Sequence, residues 1–284
     1  SDLVGKGTNP HMLAMTATPI PRTLALSVFG DLELSLLDEL PPGRQPIRTI
    51  LVRPERRGES YEYLRAQVKS GRQAFVIFPL VEESERVEAR AATAEFERLR
   101  RQFPDLRLAL VHGRLTPREK DDVMARFRDG QADVLVATAV VEVGIDVPNA
   151  SVILIEGADR FGLAQLHQFR GRVGRGPHPS SCLLLTESDA EATLARLRAL
   201  ERTSDGFALA EEDLRMRGPG QFFGTRQSGL PDLRVASYGD RETLVRARRQ
   251  AALILQADPA LSLPEHGPLA ARVALNETRS MGAG

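Results

Sequence analysis

The sequence lacks several features that would fix its class at once. Its 284 residues include one cysteine, Cys182, which excludes an internal disulfide and a metal site built from several cysteines. Its 38 basic residues equal its 38 acidic ones, so only local patches could bind nucleic acid. We find no apolar run of membrane-spanning length, no secretory leader and no acylation motif. We therefore expect a cytoplasmic protein with no membrane partner.

The composition is that of an ordinary globular protein. Hydrophobic residues make up 42% of the chain and charged residues 27%, which argues against disorder, and the length suits about two domains. Lysine is scarce, since only Lys6, Lys69 and Lys120 stand among the 38 basic residues. Phosphate recognition would explain this excess of arginine, but we favour a codon bias. Cys182 lies in an apolar run and is expected in the core.

Apolar runs alternate with longer amphipathic segments from Ile47 onward. Residues Thr116, Pro117 and Glu119 form a capping box with proline at the first helical position, which predicts a helix start. Strict alternation of strand and helix predicts an α/β fold, a parallel sheet with helices on both faces, whose ligand crevice lies beyond the carboxyl ends of the strands. We predict strands at residues 47–52, 73–78, 106–111, 133–137, 151–155 and 181–185, and helices at residues 59–69, 84–102 and 116–128.

The densest cluster of functional residue types lies at residues 165–176, which read Q-L-H-Q-F-R-G-R-V-G-R-G. Arginine keeps its charge and offers a planar fork of donors, so this acid-free pattern favours a polyanion over a solvated basic turn. The glycines let the backbone approach such a ligand. Apolar residues at helical spacing predict a short helix that begins near Gly162. The three arginines are Arg170, Arg172 and Arg175, and the three glycines are Gly171, Gly174 and Gly176.

A second candidate segment, residues 138–148, directly follows a predicted strand. Its Thr138, Gly144 and Asp146 are residue types that can meet a sugar-phosphate backbone and hold an arginine in place. Glu142 could instead be a catalytic carboxylate, but no second acid or histidine lies at a suitable spacing. His112 and His167 are isolated, so we assign no metal site.

Two segments near the amino terminus imitate nucleotide-binding motifs without completing them. Residues 5–8 read G-K-G-T but lack the glycine five positions before the lysine that a phosphate-binding loop requires. Residues 34–39 end in Asp-Glu, yet Pro41, Pro42 and Gly43 follow where a compact sheet edge is needed. We interpret residues 41–45 as a linker between domains.

The carboxyl-terminal third is predicted to be mostly helical. A capping box at residues 188–191 predicts a helix that ends near Arg202, and a break at residues 204–206 leads into a second helix over residues 207–215, forming a hairpin. The following loop, residues 217–229, combines glycines, two aromatics and two arginines, which suits contact with a nucleic-acid backbone, although an ordinary surface loop remains open. One more helix is expected at residues 240–256, and the remainder is expected to fray.

Residues 168–175 resemble the Q-x-x-G-R-x-G-R signature, motif VI of superfamily-two helicases. The resemblance implies a RecA-like domain in which Arg172 and Arg175 act on nucleotide phosphates, the second as an arginine finger worth roughly 10³ to 10⁵ in rate. Residues 138–148 resemble motif V. By the same resemblance the nucleotide-binding residues are Gly144, Asp146, Gln168, Arg172 and Arg175.

Two further resemblances indicate the RecG family of these helicases. The run T-A-T-P-I-P-R-T-L at residues 16–24 is similar to its motif III, and residues 217–229 are similar to the TRG motif that it shares with the transcription-repair coupling factor Mfd. The G-T-R-Q-S-G ending favours RecG over Mfd. The resemblance assigns DNA binding or coupling to Thr16, Thr18, Thr138, Arg217, Gln221, Thr225, Arg226 and Gln227.

The resemblance also implies a longer protein, because the phosphate loop and the Asp-Glu box of the family are not in this sequence. We expect residues 1–40 to be the tail of a first motor domain with its linker, residues 41–187 a second RecA-like domain, and residues 188–284 the hairpin, TRG-like loop and terminal helices. The intact protein would use ATP and Mg²⁺ on branched double-stranded DNA, at stalled forks and Holliday junctions, with an N-terminal wedge and first motor domain. This chain alone would bind no cofactor tightly and hydrolyse no ATP. The alternatives are the Mfd motor and a non-catalytic DNA-binding module.

Overall fold

A computed structural model of the chain describes residues 44–79, 85–138, 146–217 and 241–281, together with residues 13, 15, 35 and 37. Six strands form one sheet in the order β1-β6-β5-β2-β4-β3, and every neighbouring pair is parallel. This confirms the predicted parallel sheet. The strands are β1 (Ile47–Val52), β2 (Gln73–Phe78), β3 (Leu108–Val111), β4 (Val134–Thr138), β5 (Ala150–Ile155) and β6 (Ser180–Leu185).

Helices connect β1 to β2, β2 to β3, β3 to β4 and β5 to β6, and further helices follow β6. They are α1 (Arg57–Lys69), α2 (Glu85–Gln102), α3 (Pro117–Arg128), α4 (Leu163–Arg170), α5 (Glu191–Arg202), α6 (Gly206–Arg217), α7 (Arg241–Ala257) and α8 (Gly267–Met281). Short 3-10 turns occupy Pro54–Arg56, Ala158–Arg160 and Pro264–His266. Among the described residues, no helix is both long and apolar enough to cross a membrane.

The sheet is buried between two layers of helices, as expected for parallel strands that are apolar on both sides. On one face, β-strand residues such as Val76 and Leu154 pack with Tyr61 and Leu64 of α1 and with Leu99 of α2. The other face packs against α3, α4, α5 and α6 in a second core. Apolar side chains of that second core are Phe127, Leu166, Phe169, Leu197, Leu200 and Leu209. The predicted α/β class and the helical hairpin are therefore both present.

Cys182 is fully buried in β6, as the apolar run predicted. Burial raises the pKa of its thiol to about 12, so the side chain stays a neutral core residue.

Strand β3 begins two residues later than expected. The N–H of Leu106 donates to the carbonyl of Phe103 at 3.2 Å, which closes the turn after α2. The N–H of Arg107 donates to a carboxylate oxygen of Asp133 at 2.8 Å. Because the N–H groups of these two residues make hydrogen bonds in the turn, neither N–H group pairs with β4, and strand β3 begins only at Leu108.

One of the two predicted capping boxes is confirmed and the other is wrong. At α3, the side chains of Thr116 and Glu119 each accept a main-chain N–H from the other residue. At α5 the N-cap is Ala190, which makes no side-chain cap. Ser188 instead accepts the N–H of Ala190, and its carbonyl accepts a 2.7 Å hydrogen bond from Arg53. The hydrogen bond from Arg53 fixes the loop that precedes α5.

The end of the chain forms a helix, α8, where fraying was expected. The turn before it is organised by Asp258, whose carboxylate accepts the N–H groups of Ser262 and Leu263 and contacts the His266 ring at 2.8 Å. The hydrogen bonds from Leu263 and His266 hold the pKa of Asp258 well below its usual range. Composition gave no sign of this local network, which is why the helix was missed.

Candidate functional site

The arginine-rich segment lies at the amino edge of the sheet, where the strands begin. Helix α4 follows β5 and its 3-10 turn, and the loop after it meets the first residue of β1. A Cβ placed on Gly174 would lie 2.8 Å from Cγ1 of Ile47. A Cβ placed on Gly176 would lie 2.2 Å from the carbonyl oxygen of Pro148, two residues before β5.

The candidate residues do not all lie at the carboxyl edge, where the sequence placed the ligand crevice. Thr138 ends β4 at that edge, but Asp146 precedes β5 and lies at the amino edge with Arg172 and Arg175. Arg172 and Arg175 reach that edge because α4 runs from the carboxyl end of β5 back toward the start of β6. The sequence placed residues 138–148 after a strand and could not show that Asp146 lies at the opposite edge from Thr138.

Two of the glycines are explained by protein contacts. Gly174 has φ +76°, which favours glycine, and it packs on Ile47, while Gly176 packs on the main chain of Pro148. The prediction was that these glycines admit a ligand. The structure instead shows that they let the loop fit between β1 and the segment before β5. This packing fixes the position of the main chain that carries Arg172 and Arg175.

Arg175 is the most open of the three arginines. Its Nε donates to the carbonyl of Gly171 at 3.2 Å, and its Nη1 lies 3.5 Å from Oδ1 of Asp146. Because the Asp146 side chain is 65% exposed, this ion pair is weak and easily exchanged. The predicted pair of Asp146 and Arg175 is thus brought together, with the guanidinium able to turn toward an anion.

A further arginine, Arg44, joins this cluster and was not among the predicted site residues. Its Nη2 donates to the same carbonyl of Gly171 at 3.1 Å. Burial and the charge of Arg175 lower the pKa of Arg44. It was overlooked because residues 41–45 were interpreted only as a linker. The signal that could have found it is a basic residue next to a predicted domain boundary.

Gln168 and Arg172 lie on either side of the end of α4. Gln168 belongs to the last turn of the helix and is half-buried. The N–H of Arg172 donates to the carbonyl of Phe169 at 2.9 Å, and its side chain is half-buried. The turn that follows α4 thus places Arg172 close in sequence and in space to Gly171, the acceptor shared by Arg44 and Arg175.

The third arginine of the segment, Arg170, does not share this environment. It is 4% exposed and donates to the carbonyls of Leu200 and Thr203, each at 2.9 Å. Its Nη2 lies 2.9 Å from Nδ1 of His167, so that nitrogen accepts and the ring is neutral. Burial, and then the charge of Arg170, lowers the pKa of His167 to about 4. The sequence pattern grouped three arginines as one phosphate-binding set, and the structure assigns Arg170 to the hairpin instead.

The carboxyl edge carries a different kind of site. The described residues there outline a cavity of about 580 Å³, and Thr138 lines it. Glu156, directly after β5, is only 2% exposed and accepts hydrogen bonds from Arg57 and from the Tyr61 hydroxyl. Arg98 donates to the same hydroxyl at 3.0 Å and lies 3.8 Å from the carboxylate.

Glu156 is paired with the charged and polar side chains around it at this cavity. The hydrogen bond with Glu156 raises the pKa of Arg57, and burial followed by the Glu156 charge raises the pKa of Tyr61. Sequence reasoning missed this cluster. An acid placed immediately after the apolar run of β5 was the signal that could have found Glu156, because strand ends meet at one edge of a parallel sheet.

Several predicted site residues lie outside the described residues, and Arg217 ends α6 with its side chain not described. Their roles remain predictions. Within the described ranges, no group of three or more histidine, cysteine, aspartate or glutamate residues could hold a metal ion. The predicted residues outside are Thr16, Thr18, Gly144, Gln221, Thr225, Arg226 and Gln227.

The fold and the arginine loop define the carboxyl-terminal RecA-like domain of a helicase. Residues 59–177 match the helicase conserved C-terminal domain family. Residues 203–279 match a second family, described as ATP-dependent DNA helicase RecG, domain 3, C-terminal. The chain belongs to the RecG family of helicases, and the Mfd alternative is not favoured.

Curated relatives support the same family. The chain is 52% identical over 261 residues to the ATP-dependent DNA helicase RecG of Synechocystis, covering 91% of this chain and 31% of that protein. It is 51% identical over 257 residues to RecG of Escherichia coli O157:H7, covering 89% of this chain and 37% of that protein. The chain therefore spans about a third of the length of these relatives.

A solved structure is also similar. It is described as the structure of RecG bound to three-way DNA junction, and it shares 44% sequence identity with a TM-score of 0.66. The match covers 82% of this chain and 29% of that chain.

Proposed function

We propose that this chain is the carboxyl-terminal motor half of an ATP-dependent translocase on double-stranded DNA. The intact protein would act in the cytoplasm, regress stalled replication forks and migrate Holliday junctions. The observation that supports this best is Arg175, a half-exposed guanidinium held by one carbonyl and one exposed carboxylate. A nucleotide phosphate is a stronger partner for its donors than either.

Arg172 and Arg175 would be the catalytic residues of the chain. Arg175 would stabilise the charge that develops on the transferred phosphoryl group, and Arg172 would hold the phosphates. Gly144, Asp146 and Gln168 would complete the nucleotide contacts of this half. ATP supplies the phosphoanhydride that is hydrolysed, and Mg²⁺ would be held by the other half of the motor.

The carboxyl edge and the hairpin would face DNA. Thr138 ends β4 at the cavity there, and a hydroxyl at a strand end can donate to a backbone phosphate. Thr16 and Thr18 would contact the same DNA or couple it to the nucleotide site. The TRG-like residues Arg217, Gln221, Thr225, Arg226 and Gln227 would transmit nucleotide-driven closure to the duplex.

The whole protein would also need the parts that its relatives have beyond this third of their length. We propose residues 1–40, 41–187 and 188–284 as the three regions of this chain, with a wedge and a first motor domain supplied by the rest. Branched double-stranded DNA, at forks and Holliday junctions, would be the partner of the assembled motor.

The test is ATP hydrolysis with and without branched DNA, measured for the purified chain and for the protein of full family length. We expect the chain alone to hydrolyse no ATP and the full-length protein to show turnover that branched DNA stimulates. Full-length protein with no DNA-stimulated turnover would favour the binding-module alternative. Robust turnover by the chain alone, lost in Arg175→Ala so that contamination is excluded, would contradict the split site.

A further inference from the structure

Two guanidinium groups share one main-chain carbonyl at the amino edge. The carbonyl oxygen of Gly171 accepts from Nη2 of Arg44 at 3.1 Å and from Nε of Arg175 at 3.2 Å. A carbonyl oxygen has two lone pairs, so these two bonds use its full capacity. Arg44 and Arg175 are therefore held side by side although they carry the same charge.

This carbonyl belongs to the end of a helix. Gly171 is the C-cap residue of α4, and the last carbonyls of a helix lack partners within it. The carboxyl end of a helix also carries partial negative charge, which favours cations. The carbonyl thus favours cationic donors, and both arginines supply one.

The two arginines are held with unequal firmness. Arg44 is partly buried and has its guanidinium against the loop, whereas Arg175 is exposed and its other contact is Asp146, 65% exposed, at 3.5 Å. Repulsion between two like charges favours the departure of the less firmly held one. An anion offered to Arg175 would therefore relieve this repulsion, while Arg44 would keep the carbonyl satisfied.

The segment that carries Arg44 is packed against the same loop. Gly174 fits so closely on Ile47 that an added Cβ would lie 2.8 Å from Cγ1, and the carbonyl of Gln45 would be 3.5 Å away. Residues 44–47 and the loop of residues 171–174 thus form one contact. A movement of the predicted linker would therefore shift the loop of residues 171–174.

We propose that Arg44 is a positioning residue for the arginine finger. It holds the Gly171 carbonyl when Arg175 leaves it for a nucleotide phosphate, and it connects the loop of residues 171–176 to the linker between the motor domains. The inference rests on the proposed function, in which Arg175 meets the nucleotide. Arg44 itself does not contact the nucleotide in this proposal.

The experiment uses the full-length protein with ATP and branched DNA. A misplaced catalytic group can cost on the order of 10- to 100-fold in rate, so we expect Arg44→Ala to lower kcat within that range. The KM for ATP and the affinity for branched DNA should change little, because neither ligand contacts Arg44. Arg44→Lys keeps a cationic donor for the carbonyl and should recover part of the loss. Arg48→Ala, which removes an exposed arginine of the adjoining β1, is the matched control and should not change kcat.

A double-mutant cycle tests whether Arg44 acts through Arg175. Arg175→Lys keeps a charge but has no Nε to place on Gly171, so Arg44→Ala should cost little more in that background. Fully multiplicative losses would overturn the proposal, because Arg44 would then act independently. An unchanged kcat in Arg44→Ala would also overturn it, as would equal losses of kcat, DNA affinity and Tm, which would show a merely structural role.

The same variants separate this inference from the proposed function. If Arg175→Ala leaves ATP turnover intact, the proposed nucleotide site itself is wrong. If Arg175→Ala abolishes turnover and Arg44→Ala has no effect, the motor assignment stands and only the positioning role fails.

Discussion

The two edges of the sheet handle charge in opposite ways. At the carboxyl edge, Glu156 is buried between Arg57 and Tyr61, and its charge is neutralised within the protein. At the amino edge, Arg44 and Arg175 share a carbonyl, and the carboxylate facing Arg175 is largely exposed. Removing a partner from a buried, matched cluster destabilises the fold, whereas an exposed cation with weak partners, such as Arg175, can exchange them for a ligand anion.

The largest expected effect is on the amino edge. In the full-length protein, Arg175→Ala should lower ATP turnover by about 10³-fold or more, because an arginine finger stabilises charge on the phosphoryl group. Steady-state ATP hydrolysis measures this, and fluorescence anisotropy with a labelled junction should show DNA affinity largely retained. Arg118→Ala, at an exposed position of α3, is the control. Equal losses of turnover and DNA affinity would make Arg175 a DNA contact and remove the contrast between the edges.

At the carboxyl edge, the expected effect is on stability. Glu156→Leu leaves Arg57 and Tyr61 without their buried acceptor, so the free energy of unfolding of the purified chain should fall by about 3 kcal/mol. This is the lower end for a broken buried pair, since Arg57 stays partly hydrated. Urea denaturation measures it. Glu187→Gln removes the exposed partner of the same arginine, 3.2 Å away, and should cost about 0.5 kcal/mol or less. Similar losses for both variants would show that Glu156 is hydrated.

A smaller change tests the packing that positions the arginines. Gly176→Ala would place a Cβ 2.2 Å from the Pro148 carbonyl oxygen, and such overpacking costs about 1 to 3 kcal/mol. We expect a lower midpoint in urea for the chain and reduced ATP turnover in the full-length protein, because the loop must shift. Gly58→Ala in α1 meets nothing within 4 Å and should be neutral or slightly stabilising. An unchanged midpoint in Gly176→Ala would mean that the loop is not held between β1 and β5.

The smallest effect concerns pH. The unfolded His167 ring binds a proton near pH 6.5, whereas the folded one does so only near pH 4, so protonation favours the unfolded state between these values. The free energy of unfolding should therefore fall as pH drops from about 6.5 to 4, by on the order of 2 kcal/mol more than in His167→Asn. Urea denaturation at several pH values measures the difference. Parallel curves for the two proteins would show that the ring is protonated in the folded state.

Much of the fold could be predicted because each strand is a compact apolar run between turn residues. The predicted bounds of β1 and β2 match the structure, and the capping box at Thr116 marks the start of α3 correctly. The start of α5 and the existence of α8 could not be predicted in the same way. Both depend on side chains distant in sequence or in unusual turns, such as Arg53 on Ser188 and Asp258 on Leu263.

The candidate site likewise contains residues that could be predicted from the sequence and one that was assigned wrongly. The helicase resemblance assigned Arg172, Arg175 and Asp146 to one group, and the structure brings Arg175 and Asp146 to 3.5 Å. Sequence spacing also grouped Arg170 with Arg172 and Arg175, because spacing along the chain does not show which way a side chain turns at the end of a helix. The structure places Arg170 against the hairpin.

The sequence by itself determined the alternating α/β pattern, because that follows from local composition and spacing. It also carried the motif residues whose resemblance to known helicases indicated the family. Only the tertiary structure decided that the arginines lie at the amino edge, that Glu156 is buried at the other, and that Arg44 joins Arg175 on one carbonyl. Those facts depend on contacts between residues about 100 or more positions apart, which are made only when the sheet brings distant parts of the chain together.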